Sequence, residues 1–206
     1  MSRAAIIFAV VLAAGGCVSS GDRIGESIDA DWLARRDRLR ALDDWGMDGR
    51  IALKIGRKGY NGTVSWEQRE DDLDFRFRGP FGFGGFRIHG GNDRLRVKTT
   101  RGDEFWVTDP VVEMTERFGF SLPVYSMRYW ILGVSDPGLP AEETVGDQGN
   151  LEALDQAGWA VGFERYATHM GEILPGRLLM EKDNIRIRLA IDSWQTGLTG
   201  SGARDE

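Results

Sequence analysis

Leu73-Asp74-Phe75-Arg76-Phe77-Arg78-Gly79-Pro80-Phe81-Gly82-Phe83-Gly84-Gly85-Phe86-Arg87-Ile88-His89-Gly90-Gly91 is the stretch that decides the fold. Leu73, Phe75 and Phe77 alternate with Asp74, Arg76 and Arg78, which is the period-two pattern of a strand with one buried face. Phe86 and Ile88 resume the alternation after the glycines, so the segment reads as two successive antiparallel strands joined by a loop. Neither nucleotide fingerprint fits the loop, and no Lys-Ser/Thr pair follows it. Its glycines surround large rings, which leaves two readings open: a hairpin whose Phe residues pack in the core, or a loop that presents apolar groups to the outside.

Outward from this hairpin the pattern continues. Trp45 to Ile55 places Ile51, Leu53 and Ile55 on one face against Arg50, Ala52 and Lys54, and Tyr60, Gly62, Val64 and Trp66 form the next strand. Leu95 with Val97 and Phe105 with Val107 supply two shorter strands. Trp159 to Phe163, Leu178 to Met180 and Ile185 to Ile191 supply three more. Three helices are predicted: Asp31 to Asp44, with Trp32, Leu39 and Leu42 at helical spacing among Arg35, Arg36, Arg38 and Arg40; a second capped by Asp109 with Pro110 at its first position and Val111, Met114 and Phe118 on its apolar face; and a third from Pro123 to Gly133. Val134 to Asn150 reads as a loop and Gln195 to Glu206 as a polar, disordered tail. The fold class is mainly β (α+β), in one domain over residues 31–194; 28 glycines and 7 tryptophans in 206 residues fit that class better than a helix bundle.

The first residues carry a different message. Arg3 and the apolar run after it have the form of a secretory signal, too short to span a membrane, over residues 1–16. It ends at Ala14-Gly15-Gly16-Cys17, small residues before the single cysteine of the chain. That arrangement resembles a bacterial lipobox, with Ala14 where leucine is usual, and makes Cys17 the expected site of lipidation. Residues 17–30 would be a lipidated tether, and Val18 in place of Asp after the cysteine implies the outer membrane.

The net charge of −6 argues against nucleic acid as a partner. Charge is uneven, since residues 50–101 hold 12 basic and 6 acidic side chains while residues 102–206 hold 8 and 18. The basic part is either a set of solvated strand faces or a surface for an anionic membrane or an acidic partner. Two histidines, His89 and His169, and one cysteine offer neither a nucleophile with its base nor a metal cage. The expectation is no enzyme, no cofactor and no metal.

The order of parts resembles the LolB family of outer-membrane lipoprotein receptors. The matching positions are Trp45 with Gly49-Arg50-Ile51, Val64-Ser65-Trp66, Gly79-Pro80-Phe81-Gly82, Leu122-Pro123-Val124 leading to Trp130-Ile131-Leu132-Gly133, Gln156 with Gly158-Trp159, and Ile191 to Trp194. The resemblance implies an incomplete, curved antiparallel β-barrel covered by short helices around a hydrophobic cavity. It implies a lipid-anchored monomer facing the periplasm, which accepts lipoproteins from the carrier LolA and inserts them into the outer membrane. Partners would be LolA, the acyl chains of cargo, and outer-membrane phospholipids. Gly79, Pro80, Phe81, Gly82 and Phe83 would form the insertion loop, with Phe81 where the family has an exposed leucine. Trp66, Phe75, Phe77, Met114, Trp130 and Phe163 are the candidate cavity lining, with ordinary core as the competing reading for each. Two other classes fit the same elements: a lipidated β-barrel with a filled core and a structural or assembly role, and a lipocalin-like carrier of a small apolar ligand.

Overall fold

The computed structural model describes residues 20–82, 84–118 and 122–196. Helix α1 (Ser20–Arg40) leads into six antiparallel strands in chain order: β1 (Asp44–Ile55), β2 (Lys58–Arg69), β3 (Asp72–Arg78), β4 (Gly85–Gly90), β5 (Leu95–Thr99) and β6 (Glu104–Val107). Helices α2 (Pro110–Phe118) and α3 (Val124–Ile131) follow. The chain returns as β7 (Ala141–Val145), β8 (Leu151–Gln156) and β9 (Trp159–Glu164), makes a small separate hairpin of β10 (Ala167–His169) and β11 (Glu172–Leu174), and closes with β12 (Arg177–Lys182) and β13 (Ile185–Thr196). Eleven strands form one sheet in the order β6-β5-β4-β3-β2-β1-β13-β12-β9-β8-β7, open at β6 and β7. The architecture is an open, curved antiparallel sheet, as the resemblance implied.

The curvature has local causes. Register slips between Asp48 and Gly49 where β1 meets β13, a bulge that bends a strand. Gly62 on β2 lies so close to β3 that a Cβ there would stand 2.2 Å from the Arg78 carbonyl oxygen and 2.6 Å from the Phe77 ring. Only glycine lets the two strands close over Phe77 in this way.

The concave face holds the core. Trp194, Trp45, Trp66, Phe75 and Phe86 form a row of touching rings across five neighbouring strands, with centroids 5.4 to 6.0 Å apart. Such offset and edge contacts are each worth about 0.5–1.5 kcal/mol beyond area burial. Helix α3 closes the concave side by burying Val124, Met127, Trp130 and Ile131. It is fixed by Gln156, whose Oε1 accepts from the Trp130 indole (2.8 Å) and the Asp136 amide (2.9 Å) while its Nε2 donates to the Asp136 and Leu139 carbonyls (2.9 and 3.0 Å). All four hydrogen-bonding positions of this buried amide are used.

Four segments differ from the sequence expectations. Helix α1 begins at Ser20 and ends at Arg40, so most of the expected tether is helical and Asp44 already belongs to β1. Arg35, expected on the polar face with Arg36, Arg38 and Arg40, is buried. It donates to Asn150 Oδ1 and to the Gly149 and Ile173 carbonyls, and lies 5.6 Å from the Tyr166 ring centre, so it docks α1 on the return strands. Residues 134–150 contain β7. Its sequence Ala-Glu-Glu-Thr-Val is a largely exposed edge with no apolar alternation, covered in part by α1 through Trp32 Nε1 to Glu143 (3.3 Å). Strand β8 was hidden by a bulge opposite Thr144 and Val145 that puts its buried residues Leu151 and Leu154 three apart, a helical spacing. At the C-terminus β13 runs to Thr196, and residues 197–206 of the expected tail lie outside the described residues.

Candidate functional site

Between the concave face and helix α3 lies an apolar cavity of about 470 Å³. Ile51 and Leu53 of β1, Phe75 and Phe77 of β3, Phe86 of β4 and Ile187 of β13 form its wall; Leu122 and Met127 close it from above. Every wall residue from the sheet is the inward member of an alternating pair, so the rule that made each strand also made the wall apolar. The volume falls in the range of small-ligand pockets, about 300–1,000 Å³. Its lip is formed by Tyr60, Asn61 and the backbone of Gly79, Pro80, Gly84 and Gly85. Those last four residues are the two feet of the β3–β4 turn.

The turn itself is a single tight loop over Pro80–Gly82, closed by Gly79 N–H to the Gly84 carbonyl (2.8 Å) and Gly82 N–H to the Gly79 carbonyl (3.2 Å). Phe81 stands at its apex with φ 56° and ψ 20° and 98 % of its surface exposed. A non-glycine residue in the left-handed region costs about 1–2 kcal/mol, and an exposed phenyl ring forgoes about 1.5–3 kcal/mol of burial. With so little of the ring covered, burial against the described residues offsets almost none of this cost.

Of the candidate lining residues, Phe75 and Phe77 are on the cavity wall. Trp66, Trp130 and Phe163 are buried but stand elsewhere in the core. Trp66 stacks on Trp45 and donates to Gln68 (3.1 Å), and Trp130 packs on Trp159 while donating to Gln156. Indoles held at both ring and N–H build the frame of the cavity rather than its surface. Met114 lies on α2, but its side chain, like those of Val111 and Phe118, is outside the described residues, as are Phe83 and Cys17. Wall residues that sequence reasoning did not select as lining, among them Ile51, Phe86 and Met127, share one legible signal: each is an apolar position on the inward face of its strand or helix.

Two titratable groups, Asp74 and Tyr166, are shifted by structural partners. Asp74 is partly buried, which opposes its charge, yet hydrogen bonds from Arg87 and Arg76 hold its carboxyl below the usual 3.8. Burial raises the Tyr166 hydroxyl, which donates to the Leu151 carbonyl (2.6 Å). Among the described residues no three of His, Cys, Asp and Glu come together as a metal site.

The family model described as outer membrane lipoprotein LolB matches residues 43–194. The chain belongs to the LolB family. A LolB from Nitrosococcus oceani is 34% identical over 167 residues, covering 81% of this chain and 83% of its own. One from Pseudomonas fluorescens is 30% identical over 198 residues, with coverage of 94% and 96%. Among solved structures, a LolA superfamily protein from Nitrosomonas europaea superposes with a TM-score of 0.56 at 9% identity, over 82% of this chain and 93% of that one. That likeness concerns fold alone: this chain and that protein share the open curved sheet.

Proposed function

We propose that this LolB-family chain is an outer-membrane-anchored receptor that accepts lipoproteins from the periplasmic carrier LolA, holds their acyl chains in the cavity under α3 and inserts them into the membrane through the Phe81 turn. Residues 1–16 act as the export signal and Cys17 carries the lipid anchor, which leaves the domain facing the periplasm as a monomer. The observation that carries the reading is the position of Phe81, a fully exposed ring in a strained conformation whose turn is rooted in the lip of the apolar cavity.

Magnitudes separate the two apolar devices. Each acyl chain on Cys17 contributes about 0.8 kcal/mol per buried CH₂, so two or three long chains hold the protein permanently. One phenyl ring adds about 1.5–3 kcal/mol and is superfluous as an anchor. Its work is local: it enters the bilayer beside the cavity mouth, so that cargo chains leave without crossing water. The wall of Phe75, Phe77, Phe86 and Ile187 binds those chains by burial alone, with no directed polar contact to slow release. Transfer needs no nucleotide when affinity rises from carrier to receptor to membrane.

The test is transfer from LolA loaded with an acylated cargo to this protein in the absence of nucleotide. Cargo is expected to move to the receptor. Cargo that stays on the carrier would overturn the receptor role.

A further inference from the structure

On the outer face of the sheet, directly beside Phe81, lies a second concavity of about 920 Å³. Strand register explains it. Arg78, Thr63, Arg50, Ala190, Arg177 and Glu164 form one row across β3, β2, β1, β13, β12 and β9. In the next row Ala52, Arg188 and Leu179 are neighbours. The small side chains Thr63, Ala52 and Ala190 make a low floor, and guanidinium groups stand around it. Pro80 and Phe81 form one end.

Apart from Arg78, Arg177 and Arg188, the arginines on the outer face of the strands are ion-paired. Arg76 and Arg87 meet Asp74, Arg96 meets Glu104, Arg186 meets Glu181, and within the groove Arg50 meets Asp192 (2.8 Å). Among the described residues, Arg78, Arg177 and Arg188 have no carboxylate within ion-pair distance. All three are exposed on the groove wall. Among the described residues, the carboxylates at the groove are Asp192, engaged by Arg50, and Glu164 on the wall opposite Arg177. Three unneutralised cations around a shallow floor, in a chain of net charge −6, select an anionic ligand.

Position selects which one. The groove and the apolar cavity share Ile51, Asn61, Gly79 and Pro80, so the sheet and its turn divide a cationic compartment outside from an acyl-sized compartment inside. We propose that the outer groove binds the phosphate headgroups of anionic phospholipids, with Arg78, Arg177 and Arg188 as its contacts. This inference rests on the reading of Phe81 as a ring that enters the bilayer: with the ring in hydrocarbon, the long arginine stems at the same end reach headgroup level. The acidic remainder of the surface is turned away, and the cavity mouth is oriented toward the membrane before cargo is released.

The experiment uses the mature chain, residues 17–206, with Cys17→Ser, which keeps every described residue and removes the acyl anchor that would mask weaker binding. Binding is measured by flotation with vesicles of phosphatidylcholine alone or mixed with phosphatidylglycerol. Each arginine near an anionic surface contributes about fivefold, so at low salt the mixed vesicles are expected to bind on the order of 100-fold more tightly. High salt should erase the difference. Replacing Arg78, Arg177 and Arg188 together by Gln should abolish the preference, and replacing them by Lys should keep it. Phe81→Ser should weaken binding to both vesicle types and leave their ratio unchanged. A wild-type chain without preference for phosphatidylglycerol overturns the inference and leaves an acidic protein surface as the occupant. A Gln variant that keeps the preference, or a Lys variant that loses it, overturns it as well. If Phe81→Ser binds like wild type while the Gln variant loses its preference, it is the reading of Phe81 that fails and the headgroup site that stands.

Discussion

Phe81 spends conformational and burial free energy on exposure. Replacement by glycine removes both the left-handed strain and the exposed ring, so Phe81→Gly is expected to raise stability to urea by about 1 kcal/mol. A gain in stability coupled to a loss of delivery is the pattern of a residue kept for function. Unchanged or lower stability in urea titrations would show that contacts of the ring hold the turn. Gln156 stands at the opposite extreme. Gln156→Leu leaves the Trp130 indole N–H and the Asp136 amide without their acceptor, and should cost about 3 kcal/mol by the same measurement. A loss below about 0.5 kcal/mol, the size of an ordinary surface substitution, would mean that water replaces the glutamine at no penalty.

At the scale of elements, β3 and β4 carry the turn, and outside the sheet they are joined by Asp74, which bonds Arg76 on its own strand and Arg87 across the pair (2.8 Å from Nε). The carboxyl of Asp74 is held below its usual 3.8, so its contribution to stability is present above that value and is lost as pH falls through the lower folded-state value. The stability difference between wild type and Asp74→Asn should therefore hold steady above about pH 5 and shrink as pH falls through 3.8 and below it. A difference that stays constant or grows toward acid would contradict the ion-pair assignment. These two strands were also the most legible part of the chain, because Leu73, Phe75 and Phe77 face inward without interruption. Strands β7 and β8 were not, since an acidic exposed edge and a bulge erase the alternation that announces a strand. Arg35 was illegible for a related reason: its burial depends on Asn150, Gly149 and Ile173, which lie more than a hundred residues away. The site divides in the same way. The exposure of Phe81 could be read from its turn, while the cavity wall follows from register and curvature, which place Phe75 and Phe77 on the wall and Trp66 and Trp130 behind it.

For the whole molecule, one open sheet presents two different concavities on its two faces. The concave face with α3 encloses an apolar space, and the outer face gathers cations beside the same turn. The β3–β4 turn is the place where the compartments meet, and Phe81 stands exposed on it. Delivery of cargo should thus be separable from folding, from membrane attachment and from acceptance of cargo. The decisive measurement is lipoprotein delivery to outer-membrane vesicles by the acylated Phe81→Glu protein loaded from LolA. Urea stability within about 1 kcal/mol of wild type, retained attachment and retained cargo acceptance, together with loss of delivery, is the expected result. Delivery at the wild-type rate by that variant would contradict the insertion role of the turn.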